Sequence, residues 1–196
     1  MAASARPCIA HVRLGGAVLC ALLGLSVTPS GASNTEATRA TLRGLLGVQV
    51  VMGAFTPEVE SAGLLRQPLH TEVELRLRLA GIRVLTPEER LRVVGHPVLA
   101  VNVHVLLNQL LGLTVYHISV ALYQAVSLDT GVVASEGGAT WYIATMGTLA
   151  TSDLSRVREH VRDLIDAFSD AYLSVNPRPT GGPVLAPAPR PARRAR

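Results

Sequence analysis

Apolar and polar residues alternate through 98–108 (VLAVNVHVLLN) and 112–129 (GLTVYHISVALYQAVSLD), and a third extended run reaches about Met146. A period of two marks half-buried strands, and the short loops between these runs predict an antiparallel meander. If the first hairpin turns about Leu110-Leu111, Leu99 faces Leu122, Val101 faces Val120 and Val103 faces Ile118, all on one apolar face. The opposite face then pairs Asn102 with Ser119 and His104 with His117. Asp129-Thr130-Gly131 marks the second turn. A two-residue loop at Thr130-Gly131 sets Trp141 against Val120 and Ile143 against Ile118, again on the core side. A three-residue loop would slip the pairing by one and turn Trp141 toward His104.

Before the meander the periodicity changes. GVQVVMGAF, 47–55, is short and β-branched and predicts a buried strand, followed by a loop over 56–63. In TEVELRLRLAGIRVL, 71–85, the alternation of Val73, Leu75, Leu77 and Leu79 suggests a strand, but the charges favour a helix. Glu72 precedes Arg76 by four residues and Glu74 precedes Arg78 by four, the acid-first pairing that supports a helix. Leu65, Leu69, Val73, Leu77 and Ala80 form a stripe at helical spacing, and Gly81 stands where a terminating glycine belongs. The prediction is a helix over 65–80 and a strand over 82–85. Leu75 and Leu79 widen the apolar arc, and Glu72 and Arg76 fall inside it, which the helix does not explain.

Thr86 as N-cap, Pro87 and two acids predict a short helix within 86–94. The final apolar stripe, Leu154, Val157, Val161, Leu164, Ile165, Phe168 and Tyr172, predicts a helix over 152–174 that Thr151 or Ser152 can cap. The expected fold is α+β, a two-layer sandwich in the order β-α-β-(short helix)-β-β-β-α. It has a mixed five-stranded sheet with two helices on one face.

The flanks change the picture of the chain as a whole. Residues 1–33 combine Arg6 and Arg13 with an apolar run from Leu14 to Val27 and small residues Ser30, Gly31 and Ala32, the pattern of a secretory signal peptide. The run is shorter than the roughly 20 residues of an ordinary spanning helix. Both cysteines, Cys8 and Cys20, lie in that leader, so cleavage leaves a chain with no thiol, disulfide or thiolate metal site. Cys20 follows Ala17-Val18-Leu19 and is itself followed by apolar residues, a poor match to a lipidation site. Residues 34–46 read as a polar lead-in, 47–176 as a single α+β domain, and 177–196 as a disordered Arg/Pro-rich tail. Leader and tail carry two and five arginines and no acid, more than the whole chain's excess of +4, so the domain between is mildly acidic. The high pI is therefore no sign of a nucleic-acid-binding domain. The tail is suited instead to nonspecific contact with anionic surfaces.

VELRLRLAGIRVL, LAVNVHV and ATWY…LIDAFSDAYLSVNP together resemble an uncharacterised family of exported bacterial proteins. The shared pattern stands here as Ala80-Gly81-Ile82, Val101-Asn102-Val103, Thr140-Trp141 and Tyr172 to Pro177. The resemblance covers about residues 44–177 and implies export; it brings no catalytic motif. The element order is also similar to the amino-terminal domain of the periplasmic Tol-system propeller protein and to envelope adaptor lipoproteins, an analogy of fold alone.

Candidate chemistry is sparse. His104 opposite His117 has the residue types for a divalent metal or a pH-sensitive pair, but a zinc site needs a third ligand and the pattern supplies none. Ser119, His117 and Asp129 are the residue types of a serine hydrolase, yet no nucleophile-elbow glycines surround any serine. Neither GxGxxG nor a Gly-Lys-Ser/Thr loop occurs, and every fixed cation is arginine. Gly137-Gly138 inside a strand pattern marks a bulge. Trp141 is expected to anchor the core, with a partner-binding aromatic as the alternative. The expected function is a non-catalytic exported (periplasmic or secreted) interaction domain of the bacterial cell envelope. It needs no cofactor and meets an envelope protein or component through Asn102, Ser119, Trp141 or the tail. The alternative is a small-ligand or metal-binding module on the face of His104 and His117, and a hydrolase comes third.

Overall fold

The computed structural model describes residues 34–177; the predicted leader with Cys8 and Cys20, and the tail beyond Pro177, lie outside the described residues. The order is α1 (Glu36–Ala40), β1 (Gln49–Met52), α2 (Pro57–Ser61), α3 (Arg66–Leu79), α4 (Pro87–Arg90), β2 (Val98–Asn108), β3 (Leu113–Ser127), β4 (Val133–Ala150) and α5 (Arg156–Val175). One mixed sheet runs β1-β2-β3-β4, with β1 parallel to β2 and the rest antiparallel. The fold is α+β as expected, but the sheet has four strands, not five.

The missing strand is Ile82–Leu85. It makes a single parallel bridge, Val48 to Val84, held by Val48 N–H to Arg83 O and Leu85 N–H to Val48 O, each 2.9 Å. Two demands leave it no room to extend. Ile82 closes α3 in a Schellman motif, donating to Leu77 O at 2.9 Å while Gly81, at φ +80°, donates to Arg78 O. At the other end Thr86 already caps α4, with Glu89 completing a capping box and Pro87 in the first turn.

The helix over 71–79 is real, and its misplaced charges have a cause. Leu75 and Leu79 are exposed, whereas Leu69, Val73 and Leu77 are buried against the sheet and α5. Glu74 pairs with Arg78 at 3.0 Å as predicted. Glu72 does not pair with Arg76. It bonds Arg158 and Arg162 of α5, while Arg76 grips Asp166 of the same helix through both carboxylate oxygens. The charges inside the apolar arc thus rivet α3 to α5.

Within the lead-in, α1 carries a Thr35/Thr38 capping box, and Leu42 is fully buried. Residues 42–45 are also clasped to the far end of the chain. Asn176 donates to Leu42 O and accepts from Gly44 N–H, and the Tyr172 hydroxyl donates to Leu45 O. The last helix begins at Arg156 after a 3-10 turn over Thr151–Asp153, so neither Thr151 nor Ser152 is its cap; Ser155 holds that position without a side-chain bond.

The β2–β3 register is the predicted one, with Leu99 on Leu122, Val101 on Val120 and Val103 on Ile118. The β3–β4 register is not. Ile143 opposes Val120 and Trp141 opposes Leu122, two residues from the expectation, because β4 carries extra residues between Ala134 and Trp141. One irregularity falls at the anticipated Gly137-Gly138 and another around Thr140. From Trp141 onward the slip is even, so those side chains keep the predicted face.

Burial alone raises the Glu72 pKa, but Arg162 and Arg158 outweigh it and hold that carboxyl below the ordinary range; Arg76 likewise holds Asp166 low, against burial. The folded-state pKa values are depressed. The stability they contribute is therefore present above the unfolded carboxylate range and lost as pH falls through the folded values. Urea unfolding should give a flat stability from neutrality to about pH 5 and a decline below about pH 4. The Glu72→Gln/Asp166→Asn variant should start lower and lose less across that window; a decline equal to the parent's would count against the rivet.

Candidate functional site

The two faces of the sheet differ. Toward the helices, Leu99, Val101, Ile118, Val120, Leu122 and Trp141 are fully buried against Val157, Val161, Ile165 and Phe168 of α5. The opposite face is crossed by rows of register partners. Asn102, Ser119 and Ala144 form one row, His104, His117 and Met146 the next, and Leu106, Val115 and Thr148 the next. Leu106 is 69% exposed and Met146 73%; Val51 and Val115 are exposed as well, while the small Ser119 and Ala121 are sunk among them.

The predicted pairings on this face hold: Asn102 opposes Ser119, and His104 opposes His117 with ring centroids 6.1 Å apart and planes 29° off parallel. Asn102 leans over Gly53 at the end of β1, where a Cβ would come within 2.9 Å of its Oδ1. A concavity of about 250 Å³ opens between the Ala54–Thr56 segment and the sheet, and its lining includes His104, His117 and Met146. Met146 was missing from the sequence expectation because the predicted second register sets Ala144 opposite His117; the displaced turn and the bulges of β4 together bring Met146 there instead.

Other candidates do not join them. Trp141 lies wholly in the core, its indole N–H on Asn34 Oδ1 at 3.3 Å and its ring edge-on to Phe168. Asp129 sits in the exposed turn beyond β3, ten or more extended residues from His117, which at about 3.3 Å per residue is roughly 30 Å or more. Ser119, His117 and Asp129 therefore form no relay. Among the described residues no three His, Cys, Asp or Glu side chains gather as metal ligands. No described helix is long and apolar enough to cross a membrane.

The sheet's two borders are also unlike. The outer side of β1 is largely occupied: Val48 bridges Arg83 and Leu85, His70 Nε2 approaches Val50 O at 3.4 Å, and Arg66 donates to Met52 O and Gly53 O. Beyond β4 no strand follows, and α1 contributes one hydrogen bond there, from Thr41 Oγ1 to Thr140 O at 3.3 Å. No family model, curated protein or solved structure matches the chain.

Proposed function

We propose that this chain is a non-catalytic exported interaction domain of the bacterial cell envelope. Its contact surface is the uncovered face of the sheet, and its partner an envelope protein with an apolar patch. The observation that carries this is the contrast between the faces. One carries the buried core residues that pack with α5, while the other leaves Val51, Leu106, Val115 and Met146 in water around half-buried Asn102 and His117. Apolar exposure grouped on one face is what interaction sites present. The leader-like N-terminus and the resemblance to exported bacterial proteins support the location; the arginine tail suits a second, nonspecific contact with anionic surfaces. Trp141 takes no part in this surface.

A photo-crosslinking side chain at Leu106, in envelope fractions of a bacterial host, should give a discrete adduct that the same group at Glu159 on α5 does not. Val115→Lys should abolish that adduct while changing stability by less than about 0.5 kcal/mol. Equal labelling from both positions, or none from Leu106, would sink the proposal. A second reading, ligand binding at the imidazole pair, is favoured by one specific observation: the row His104-His117 continues into Met146.

A further inference from the structure

We propose that His104, His117 and Met146 form a binding site for a soft monovalent metal ion, Cu(I). This is independent of the protein-contact reading, since it concerns three side chains and not the apolar surface around them. The three stand on adjacent strands as successive register partners, His104 to His117 and His117 to Met146. Cross-strand neighbours on one face have Cβ atoms about 4.5–5.5 Å apart, within reach of a shared ion. All three also line the same concavity of about 250 Å³, which gives the ion room.

The ring spacing fits. A metal bound at about 2.0–2.1 Å from an imidazole nitrogen lies roughly 3.2 Å from the ring centre, so two rings sharing it are centred up to about 6.4 Å apart. The observed separation, 6.1 Å, lies inside that limit, and the rings, stacked 29° off parallel, turn to aim their nitrogens at one ion. Rotation of side chains on a fixed backbone completes the site, and the exposed Met146 has the torsional freedom to close over it.

The donor set selects the ion. Two imidazoles and a thioether, with no carboxylate or thiolate joining them among the described residues, offer nothing to Mg²⁺ or Ca²⁺ and leave Zn²⁺ without a third preferred ligand. Thioether sulfur favours Cu(I). Leu106 and Val115, the next row, place apolar bulk against one side and limit water there, which strengthens a soft site.

The test uses the full chain carrying Cys8→Ser and Cys20→Ser, so that no thiolate competes for the ion, under anaerobic reducing conditions, with Cu(I) partitioned against a chromogenic chelator and Ag(I) as a redox-inert probe in NMR. One equivalent of Cu(I) should bind. Met146→Leu, which preserves bulk, should weaken it by at least the roughly tenfold that loss of a supporting group costs a metal site. His104→Gln and His117→Gln should each remove it. Ag(I) should move the Met146 methyl resonance and leave that of buried Met52 in place. Unchanged Cu(I) affinity in Met146→Leu, a still Met146 methyl, or Zn²⁺ bound as tightly as Cu(I) would overturn the assignment. Each result reads metal alone, so it stands apart from the crosslinking outcome.

Discussion

Replacing Trp141 with alanine should lower the unfolding free energy by about 3–5 kcal/mol, the range for deleting a large buried aromatic. For a domain of this size that is a fall in Tm of about 10 °C or more. The side chain is fully buried and bridges the two layers, resting edge-on against Phe168 of α5 with centroids 5.2 Å apart. Its N–H donates to Asn34 Oδ1, which also accepts from Arg39 Nε, so the substitution also loosens the link to α1. Trp141→Phe keeps the ring contact and removes the hydrogen bond, and should cost less than half as much. Thermal and urea unfolding measure both. A loss below about 1 kcal/mol for the alanine variant would mean that the layers are joined elsewhere.

Gly47→Ala should be nearly as damaging, by about 3 kcal/mol. The residue has φ +153°, a conformation that costs a side chain of order 1–3 kcal/mol by itself. The added Cβ would also stand 2.4 Å from Arg83 O, a backbone atom that cannot swing aside. That oxygen accepts from Val48 N–H, so yielding space breaks the bridge that holds the 82–85 segment and buried Ile82 and Leu85 to β1. Denaturant titration should show a lower midpoint with an unchanged slope. A midpoint like the parent's would show that the segment can shift without cost.

These two positions also show what the sequence made legible. Trp141 fell on the predicted core face because the shifted turn and the extra residues of β4 together make an even displacement; its opposing residue could not be placed, because bulges add residues that a pattern of period two does not count. The β2–β3 pairing was readable once the turn was set at Leu110-Leu111, since two unbroken alternations flank it and a slip by one residue would turn the apolar faces apart. The fifth strand was over-read from three apolar residues, Ile82, Val84 and Leu85, because burial beside a helix end and burial in a sheet leave the same trace in sequence. Glu72 looked like a flaw in α3 until the arginines of α5 supplied its partners, a contact 86 and 90 residues away along the chain that no local rule anticipates. The candidate site was half visible: the histidine pair followed from the first hairpin, and its neighbour Met146 waited on the second.

The unequal borders of the sheet give the molecule a direction. Growth past β1 is closed by Arg66, His70 and the 82–85 segment. Growth past β4 meets an 18-residue strand whose sequence holds one charged residue, Glu136, and none of the lysines or prolines that usually discourage lateral pairing. Any fifth strand, lent by a partner or by a sister molecule, would lie alongside Met146. The sulfur now at the rim would then stand in the interior of a wider sheet, flanked on both sides.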